Sequence, residues 1–223
     1  NLDTKGVRIE PGSARTTYYQ VSTAGFDRPA TATAQVPAAS NGIDIKREFL
    51  GEEGKLIALT PQGSTPAVTV GRELYVRIVA RSTAGNNIWL DNVAIVDLLP
   101  AGFEVVTESI RGTGEESDTY VTTAIPVPAP ATPPNAKPGT PAHPAPPAPD
   151  PLTPEYVDIR EDRVVLYGGL GNSVRTYVYK IRATNSGTFS VPHIHAEAMY
   201  DKAINASSSG GTILRIGAPA PAK

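Results

Sequence analysis

Apolar and polar residues alternate with a period of two along most of this chain. In the stretch Glu73–Ser82 every second residue is apolar: Leu74, Val76, Ile78 and Ala80. The positions between them are mostly charged or tyrosine. Because successive side chains of a strand point to opposite faces, this pattern predicts a strand with one buried and one solvated face, as in an antiparallel sheet.

The same alternation recurs in short segments that are separated by Gly, Pro and Asn, at intervals typical of a β-sandwich. The predicted strands are Thr16–Thr23, Ile43–Phe49, Lys55–Leu59, Glu73–Ser82, Trp89–Leu98, Gly102–Thr107, Tyr156–Ile159, Arg163–Leu166, Val174–Thr184, Gly187–Val191, Ile194–Tyr200 and Gly211–Ile216. The glycine-rich window Gly168–Ser173 is interpreted as a hairpin turn. The one helix-like window, Ala196–Ala203, is too short to change the fold class. The pattern therefore predicts an all-β protein, an antiparallel β-sandwich.

Proline divides the chain. Residues 124–154 include 13 prolines among 31 positions. Because proline has no backbone N–H, this stretch has too few donors to pair in a sheet, and it has too little apolar surface to form a core. We therefore expect a flexible, solvated proline/alanine-rich insertion with polyproline II character, placed in a loop of the sandwich. Residues 1–42 are interpreted as a lead-in segment from a preceding module, residues 43–216 as the sandwich, and residues 217–223 as a disordered tail.

Composition removes several function classes. The 22 prolines and 20 glycines among 223 residues argue against a helical bundle. The formal net charge of −2 offers no basic field for nucleic acid, and the absence of cysteine excludes disulfides, zinc–thiolate sites and thiol nucleophiles. No apolar run is long enough for direct membrane insertion. The start at Asn1, without Met or a signal peptide, suggests a mature protein or a fragment of a longer one.

Candidate catalytic residues are few. His193 and His195 lie two apart and would share one face of a strand, but two ligands do not make a metal site, so no metal and no cofactor is predicted. The run Asp158, Arg160, Glu161, Asp162 and Arg163 alternates acid and base. We interpret it as a structural charge cluster at a strand end, with at least one arginine partly buried. An acid/base hydrolase that uses Asp158 with Glu161 or Asp162 is the weaker alternative.

Several strings, in order, resemble the C-terminal region of bacterial alpha-2-macroglobulins between Thr16 and Ile216. They are Tyr18–Phe26, Gly42–Leu50, Val70–Val76, Val96–Glu104, Tyr156–Arg163, Gly187–Pro192 and Ala196–Asp201. The Arg-Glu-Asp-Arg and Ala-Met-Tyr-Asp strings carry most of the specificity. The proline-rich insertion departs from the family pattern.

The resemblance implies a terminal macroglobulin-like β-sandwich that is not an enzyme and belongs to a large protease-trapping protein. It implies that Met199 and Tyr200 dock against other domains of the same chain, and that they shield a thioester where the parent protein has one. It also implies a periplasmic location in a Gram-negative bacterium, with membrane anchoring through a missing N-terminal part left open. Target proteases would be partners through the full-length protein, and other periplasmic proteins remain candidate partners.

One other function stays open from the sequence. The string Asp97–Gly102 also resembles the Asp-x-Leu-Pro-x-Gly string of bacterial surface-adhesin repeats, so the alternative is a stalk, adhesin or carbohydrate-binding module. Exposure separates the two accounts of Met199, because a buried Met199 would be core filling and an exposed Met199–Tyr200 pair would be an interface.

Overall fold

A computed structural model describes residues 38–57, 59, 67–110, 120, 122–125 and 150–219. These residues form fourteen strands and one short 3₁₀ helix at Thr107–Ser109. The strands are β1 Ala39–Asn41, β2 Ile43–Leu50, β3 Val68–Thr69, β4 Glu73–Ser82, β5 Leu90–Leu98, β6 Phe103–Val105, β7 Asp150–Pro151, β8 Tyr156–Ile159, β9 Arg163–Leu170, β10 Arg175–Ala183, β11 Gly187–Val191, β12 Ile194–Ala198, β13 Asp201–Ser207 and β14 Thr212–Gly217. No helix in the described residues is long and apolar enough to cross a membrane.

The strands build two large sheets and one small sheet. The six-stranded sheet has the order β1-β13-β12-β5-β9-β8, and the five-stranded sheet has the order β2-β4-β10-β6 with β7 also paired to β10. The third sheet, β11-β14-β3, has three strands. Almost every pairing is antiparallel, and only the short β7 and β3 run parallel to their partners. The predicted antiparallel all-β fold is confirmed.

The inner faces of the two large sheets pack against each other to form the core. In β4 the predicted alternation holds, with Leu74, Val76, Ile78 and Ala80 all buried. They meet residues such as Ile95 and Leu166 of the six-stranded sheet in one continuous cluster. Burial of this alternate set is what makes a period of two a reliable signal of the fold.

Some strand boundaries differ from the expectations. Lys55–Leu59 is not a regular strand, since it contributes a single bridge between Leu50 and Leu56. Strand β9 runs to Leu170, so the first glycines of the window Gly168–Ser173 lie in a strand and not in a turn. The helix-like window Ala196–Ala203 is occupied by the end of β12, the turn after it and the start of β13, because strand pairing outweighs weak local helix propensity. The predicted strand Thr16–Thr23 lies outside the described residues.

Both predicted domain boundaries shift in the structure. Strand β1 pairs with β13, so the sheet begins before Ile43, inside the segment expected to be a lead-in. At the other boundary, residues 150–154 were expected to be solvated, but they pack on the sandwich. There β7 pairs with β10, and Leu152 and Pro154 are buried. Backbone bonds to the free edge of β10 and apolar burial together outweigh the low strand propensity of proline. Residues 126–149 of the insertion lie outside the described residues.

Candidate docking surface at the β12–β13 turn

Met199 and Tyr200 form the tight turn that joins β12 to β13. The residues of β12 alternate between inside and outside until Ala198, the last buried one. Beyond it Met199 is 44% exposed and Tyr200 is 86% exposed. Methionine is among the residue types most often fully buried, and tyrosine is intermediate. The turn therefore presents an apolar and an aromatic side chain to the exterior.

The position of this turn is set by irregular pairing on both neighbouring strands. The Met199 backbone N–H donates to the Asn92 carbonyl at 3.0 Å. Asn92 has a φ of +54°, and the β5–β9 register shifts between Leu90 and Val93. The β12–β13 register also shifts, between Glu197 and Ala198. Bulges of this kind re-aim side chains at a sheet margin, which accounts for the projection of the turn.

Trp89 is a second exposed aromatic residue at the same end of β5. It is half exposed, and its indole packs over Gly169 at the end of β9 and Gly171 just after it. A Cβ on Gly169 would lie 2.4 Å from the indole, and one on Gly171 would lie 3.0 Å away. The Arg175 guanidinium lies 5.9 Å from the ring centroid. The sequence analysis did not predict this packing of Trp89 on two glycines, although closely spaced glycines are a signal of close packing.

The predicted charge cluster lies at the β8–β9 hairpin and forms two local pairs. Arg160 Nε donates to Asp158 at 2.8 Å, and Arg163 makes two hydrogen bonds to Asp162 at 2.9 and 2.6 Å. The bond from Arg163 lowers the pKa of the Asp162 carboxyl. Glu161 is exposed. The Arg163 side chain is 40% exposed and that of Asp162 is 60% exposed, so this pair of sequence neighbours is accessible to solvent.

Neither the carboxylates nor the histidines converge on a common centre. The carboxylates of Asp158 and Asp162 each face their own arginine, which leaves no opposed pair for hydrolysis. His195 Nε2 lies 3.5 Å from a Glu197 carboxylate oxygen, and His193 is exposed. Within the described ranges no three metal-ligating side chains form a group.

The structure reveals a buried charged network that sequence reasoning missed. Arg47 on β2 pairs with Asp97 on β5, and their side chains are 5% and 1% exposed. The Tyr179 hydroxyl on β10 donates to the second Asp97 oxygen at 2.8 Å. Burial, followed by the nearby Asp97 charge, raises the pKa of Tyr179 well above its ordinary value. This network joins the inner faces of the two large sheets.

Arg47 also holds the chain that leads into β12 and the Met199–Tyr200 turn. Its guanidinium donates to the Leu98 carbonyl at 3.1 Å and to the Pro192 carbonyl, just before β12 begins. The same group stacks 5.1 Å from the centroid of the Phe49 ring. A charged residue at an inward position of β2, between Ile45 and Phe49, was the available signal in the sequence. The network thus ties the C-terminal end of β5 and the start of β12 to the opposite sheet.

Comparison with known proteins gives one consistent result. The family model of the bacterial alpha-2-macroglobulin MG10 domain matches residues 42–202. The alpha-2-macroglobulin homolog of Yersinia pestis is 34% identical over 219 residues, which cover 93% of this chain and 9% of that protein. The alpha-2-macroglobulin of Rickettsia conorii is 30% identical over 184 residues, covering 82% of this chain and 8% of that one.

Solved structures agree at the level of the fold. The crystal structure of Salmonella alpha-2-macroglobulin reacted with methylamine aligns with a TM-score of 0.56 at 20% identity, over 84% of this chain and 10% of that one. The cryo-EM structure of native Escherichia coli alpha-2-macroglobulin aligns with a TM-score of 0.55 at 20% identity, over 81% and 10%. The chain therefore spans only about a tenth of the length of these relatives.

Proposed function

The chain belongs to the bacterial alpha-2-macroglobulin family, with residues 42–202 matching its MG10 domain, and from this premise we propose a non-catalytic docking role for it in a protease-trapping protein. The docking partner is another domain of the same long chain. Where the parent protein has a thioester, Met199 and Tyr200 shield that bond from water. The proposal places the protein in the periplasm of a Gram-negative bacterium, and the parent chain would supply any membrane anchor.

The observation that carries the proposal is the exposure of the Met199–Tyr200 turn. Methionine and tyrosine are residue types that interfaces favour, because both supply large contact area, and tyrosine adds a hydroxyl donor. At this turn they are held outward by the bulges at Asn92 and Ala198 rather than packed into the core. An exposed pair of this kind, on a rigid hairpin, fits a preformed contact with another domain.

A non-catalytic role fits the chemistry of the described residues. The acid pairs of the β8–β9 hairpin are neutralised by neighbouring arginines, and the buried Asp97 is fully engaged by Arg47 and Tyr179. Each of these groups has a structural partner that satisfies it. Protease trapping is then a property of the whole parent protein, to which this domain contributes an interdomain contact.

The test uses the full-length parent protein with Tyr200→Ala and Met199→Ala. We expect both variants to fold normally, because the turn is exposed, but to lose the docked native state. Protease capture should fall, and in a thioester-bearing parent, inactivation by methylamine in the absence of protease should become faster. The control is Leu56→Ala, which removes an apolar side chain of similar exposure on the β2 side of the domain.

The proposal fails if the Met199 and Tyr200 variants match the Leu56 variant in both capture and methylamine sensitivity. A thermal denaturation of each variant accompanies the assay, so that loss of capture is separated from loss of folding. Activity of the unmodified fragment alone as a protease inhibitor would also contradict the proposal, because a docking domain needs the rest of the chain.

A further inference from the structure

The large apolar side chains that stay exposed gather at one margin of the domain. Seven large apolar side chains of the described residues are exposed. Five of them lie just outside an end of β5, β10 or β12: Ile88, Trp89, Val174, Met199 and Tyr200. We call these five residues the margin patch. Exposed apolar residues are normal when scattered singly, whereas a cluster of this kind marks an interaction site.

The Met199–Tyr200 turn and Trp89 flank the start of β5. Trp89 directly precedes this strand, and three residues further along the Asn92 carbonyl accepts the hydrogen bond from the Met199 N–H. Three residues of a strand span about 10 Å. Trp89 packs toward β9, and the turn continues from β12 on the other side of β5. A standard interface covers about 800 Å² per partner, so one partner surface can cover both groups.

Val174 joins the margin patch through the turn between β9 and β10. It directly precedes β10. In the same turn the Asn172 side chain donates to the Ser82 and Gly85 carbonyls, at 3.2 and 2.7 Å. These bonds tie the β9–β10 turn to the chain that leads from β4 to Ile88. The residues of the patch on either side of this contact are therefore held in one arrangement.

Two side chains of the margin patch pack on glycine backbone while remaining exposed on their other side. A Cβ on Gly85 would lie 2.6 Å from the Ile88 Cδ1, just as one on Gly169 would meet the Trp89 indole. Ile88 nevertheless stays 44% exposed and Trp89 stays 53% exposed. Side chains that are already ordered lose little conformational entropy on binding, and tryptophan is a common hot-spot residue at interfaces.

Arg175 gives the margin patch a positive charge that no carboxylate of the described residues neutralises. Its Nε is buried without a hydrogen-bond partner, and its Nη1 donates to the Pro151 carbonyl at 3.4 Å. The guanidinium lies beside the ring of Trp89. Seven other arginines each pair with a carboxylate: Arg47, Arg72, Arg77, Arg81, Arg160, Arg163 and Arg182. Arg175 differs from these seven and lies next to the exposed tryptophan.

Docking at the margin patch would remove water from the Arg175 guanidinium. Desolvating a charged group without a partner costs free energy, whereas a carboxylate matches the fork of N–H donors on a guanidinium. A wholly apolar partner surface would leave this charge unpaired. The chemistry therefore favours a partner that sets an acidic side chain within an apolar surface.

We propose that the margin patch receives another domain of the parent chain, which presents an acidic side chain to Arg175 and apolar side chains to Trp89. The partner is assigned to the same chain for two reasons. The patch is continuous with the Met199–Tyr200 turn, and the Yersinia pestis relative extends far beyond the 9% of its length that this chain covers. The inference rests on the docking role proposed above and adds to it two residues and the charge of the partner.

The test is hydroxyl-radical footprinting of the full-length parent protein and of the isolated chain. Mass spectrometry locates the oxidation of each side chain and gives its rate. We expect Trp89 to be oxidised several-fold more slowly in the parent protein than in the isolated chain, because the partner domain covers the indole. The isolated chain is measured at two concentrations, so that contact between two copies is detected.

A variant of the full-length protein tests the charge of the partner. Arg175→Gln should shift the docking equilibrium toward the undocked state by about 30-fold or more, since losing one side of a desolvated charge pair weakens an interface by that factor. The oxidation rate of Trp89 should then rise toward that of the isolated chain. The matched control is Arg81→Gln, which breaks the exposed pair with Asp44 and should leave Trp89 protected. Thermal denaturation of both variants checks that they fold.

The outcomes separate this inference from the docking role itself. If Met199 and Tyr200 are protected in the parent protein while Trp89 is not, the inference is overturned and the docking role stands. Protection of Trp89 that persists in Arg175→Gln overturns the acidic partner. Protection that grows with the concentration of the isolated chain assigns the patch to a second copy instead. Equal rates in the parent and the isolated chain for all three side chains would contradict the docking role as well.

Discussion

The buried Arg47–Asp97 pair allows the sharpest prediction about stability. Asp97→Ala removes the carboxylate that pairs with the Arg47 guanidinium, and it leaves the Tyr179 hydroxyl without its acceptor. Breaking a buried pair from one side costs about 3–5 kcal/mol, because a charge then stays buried without compensation. A typical domain is stable by about 5–15 kcal/mol, so the variant should lose a large share of its stability.

The matched control is Asp44→Ala. Asp44 also pairs with an arginine of a neighbouring strand, Arg81 at 3.2 Å, but both side chains are about half exposed. Exposed pairs contribute about 0–1 kcal/mol, since water and salt screen them. Both variants are measured by urea denaturation, where a shift of the midpoint at constant slope reports stability alone.

A double variant completes the design. In Arg47→Met/Asp97→Ala no charge is buried alone, so the loss should be smaller than the sum of the two single losses. Equal losses for Asp97→Ala and Asp44→Ala would refute the reasoning, because they would mean that water reaches the Arg47 site. Strict additivity in the double variant would refute the direct coupling between the two charges.

Three further predictions concern the insertion, a glycine and the buried tyrosines. Replacing residues 126–149 by a short Gly/Ser linker should change the free energy of unfolding by about 1 kcal/mol at most in urea titrations, because loop-closure entropy varies slowly with length. Extending the deletion through β7 and the buried Leu152 that follows it should lower the free energy of unfolding by about 2–3 kcal/mol more. Gly102→Ala should lower the free energy of unfolding by about 1–3 kcal/mol, since φ is +89° and the new Cβ would lie 2.6 Å from the Phe189 ring of β11. In the control Gly71→Ala, φ is +88° but no atom lies within 4 Å, so only the cost of the backbone conformation should appear. Equal losses for the two variants would contradict the packing argument. Burial raises the pKa of Tyr177 and Tyr179, so above pH 10 the unfolded chain releases protons that the folded chain retains. The free energy of unfolding should therefore fall by about 1.4 kcal/mol per pH unit for each tyrosine. If the free energy of unfolding stays constant between neutral and alkaline pH, these hydroxyls reach water.

Sequence patterning identified what depends on local alternation. The faces of β4 were predicted residue by residue, because a buried face imposes its period on the strand itself. The pattern placed Met199 and Tyr200 inside the predicted strand Ile194–Tyr200, but β12 ends at Ala198 and the two residues form the turn that follows it. It failed where strands are short or paired in parallel, as in β1, β3 and β7, since two or three residues are too few to show a period.

The charge cluster shows the same limit on the level of single residues. Alternating acids and bases at Asp158–Arg163 predicted an arginine that is at least partly buried, and Arg163, with 40% of its side chain exposed, pairs with its chain neighbour Asp162. The almost fully buried arginine is Arg47, whose partner lies fifty positions away. Neighbouring charges pair readily in solvent, whereas a buried pair is visible only when two strands are brought face to face.

The sequence by itself determined that this chain is an antiparallel β-sandwich, because alternation, glycine and proline act over a few residues. Its macroglobulin type was indicated by the resemblance of several strings, in order, to that family. Only the tertiary structure decided which of the other side chains are buried and what they pack against. It packs Trp89 on Gly169 of β9 and on Gly171 just after it, joins Arg47 to Asp97 across the core, and buries Leu152 at the end of an otherwise proline-rich stretch. Each of these depends on contacts between distant segments, and the free energy of such contacts is set by burial that no local pattern contains.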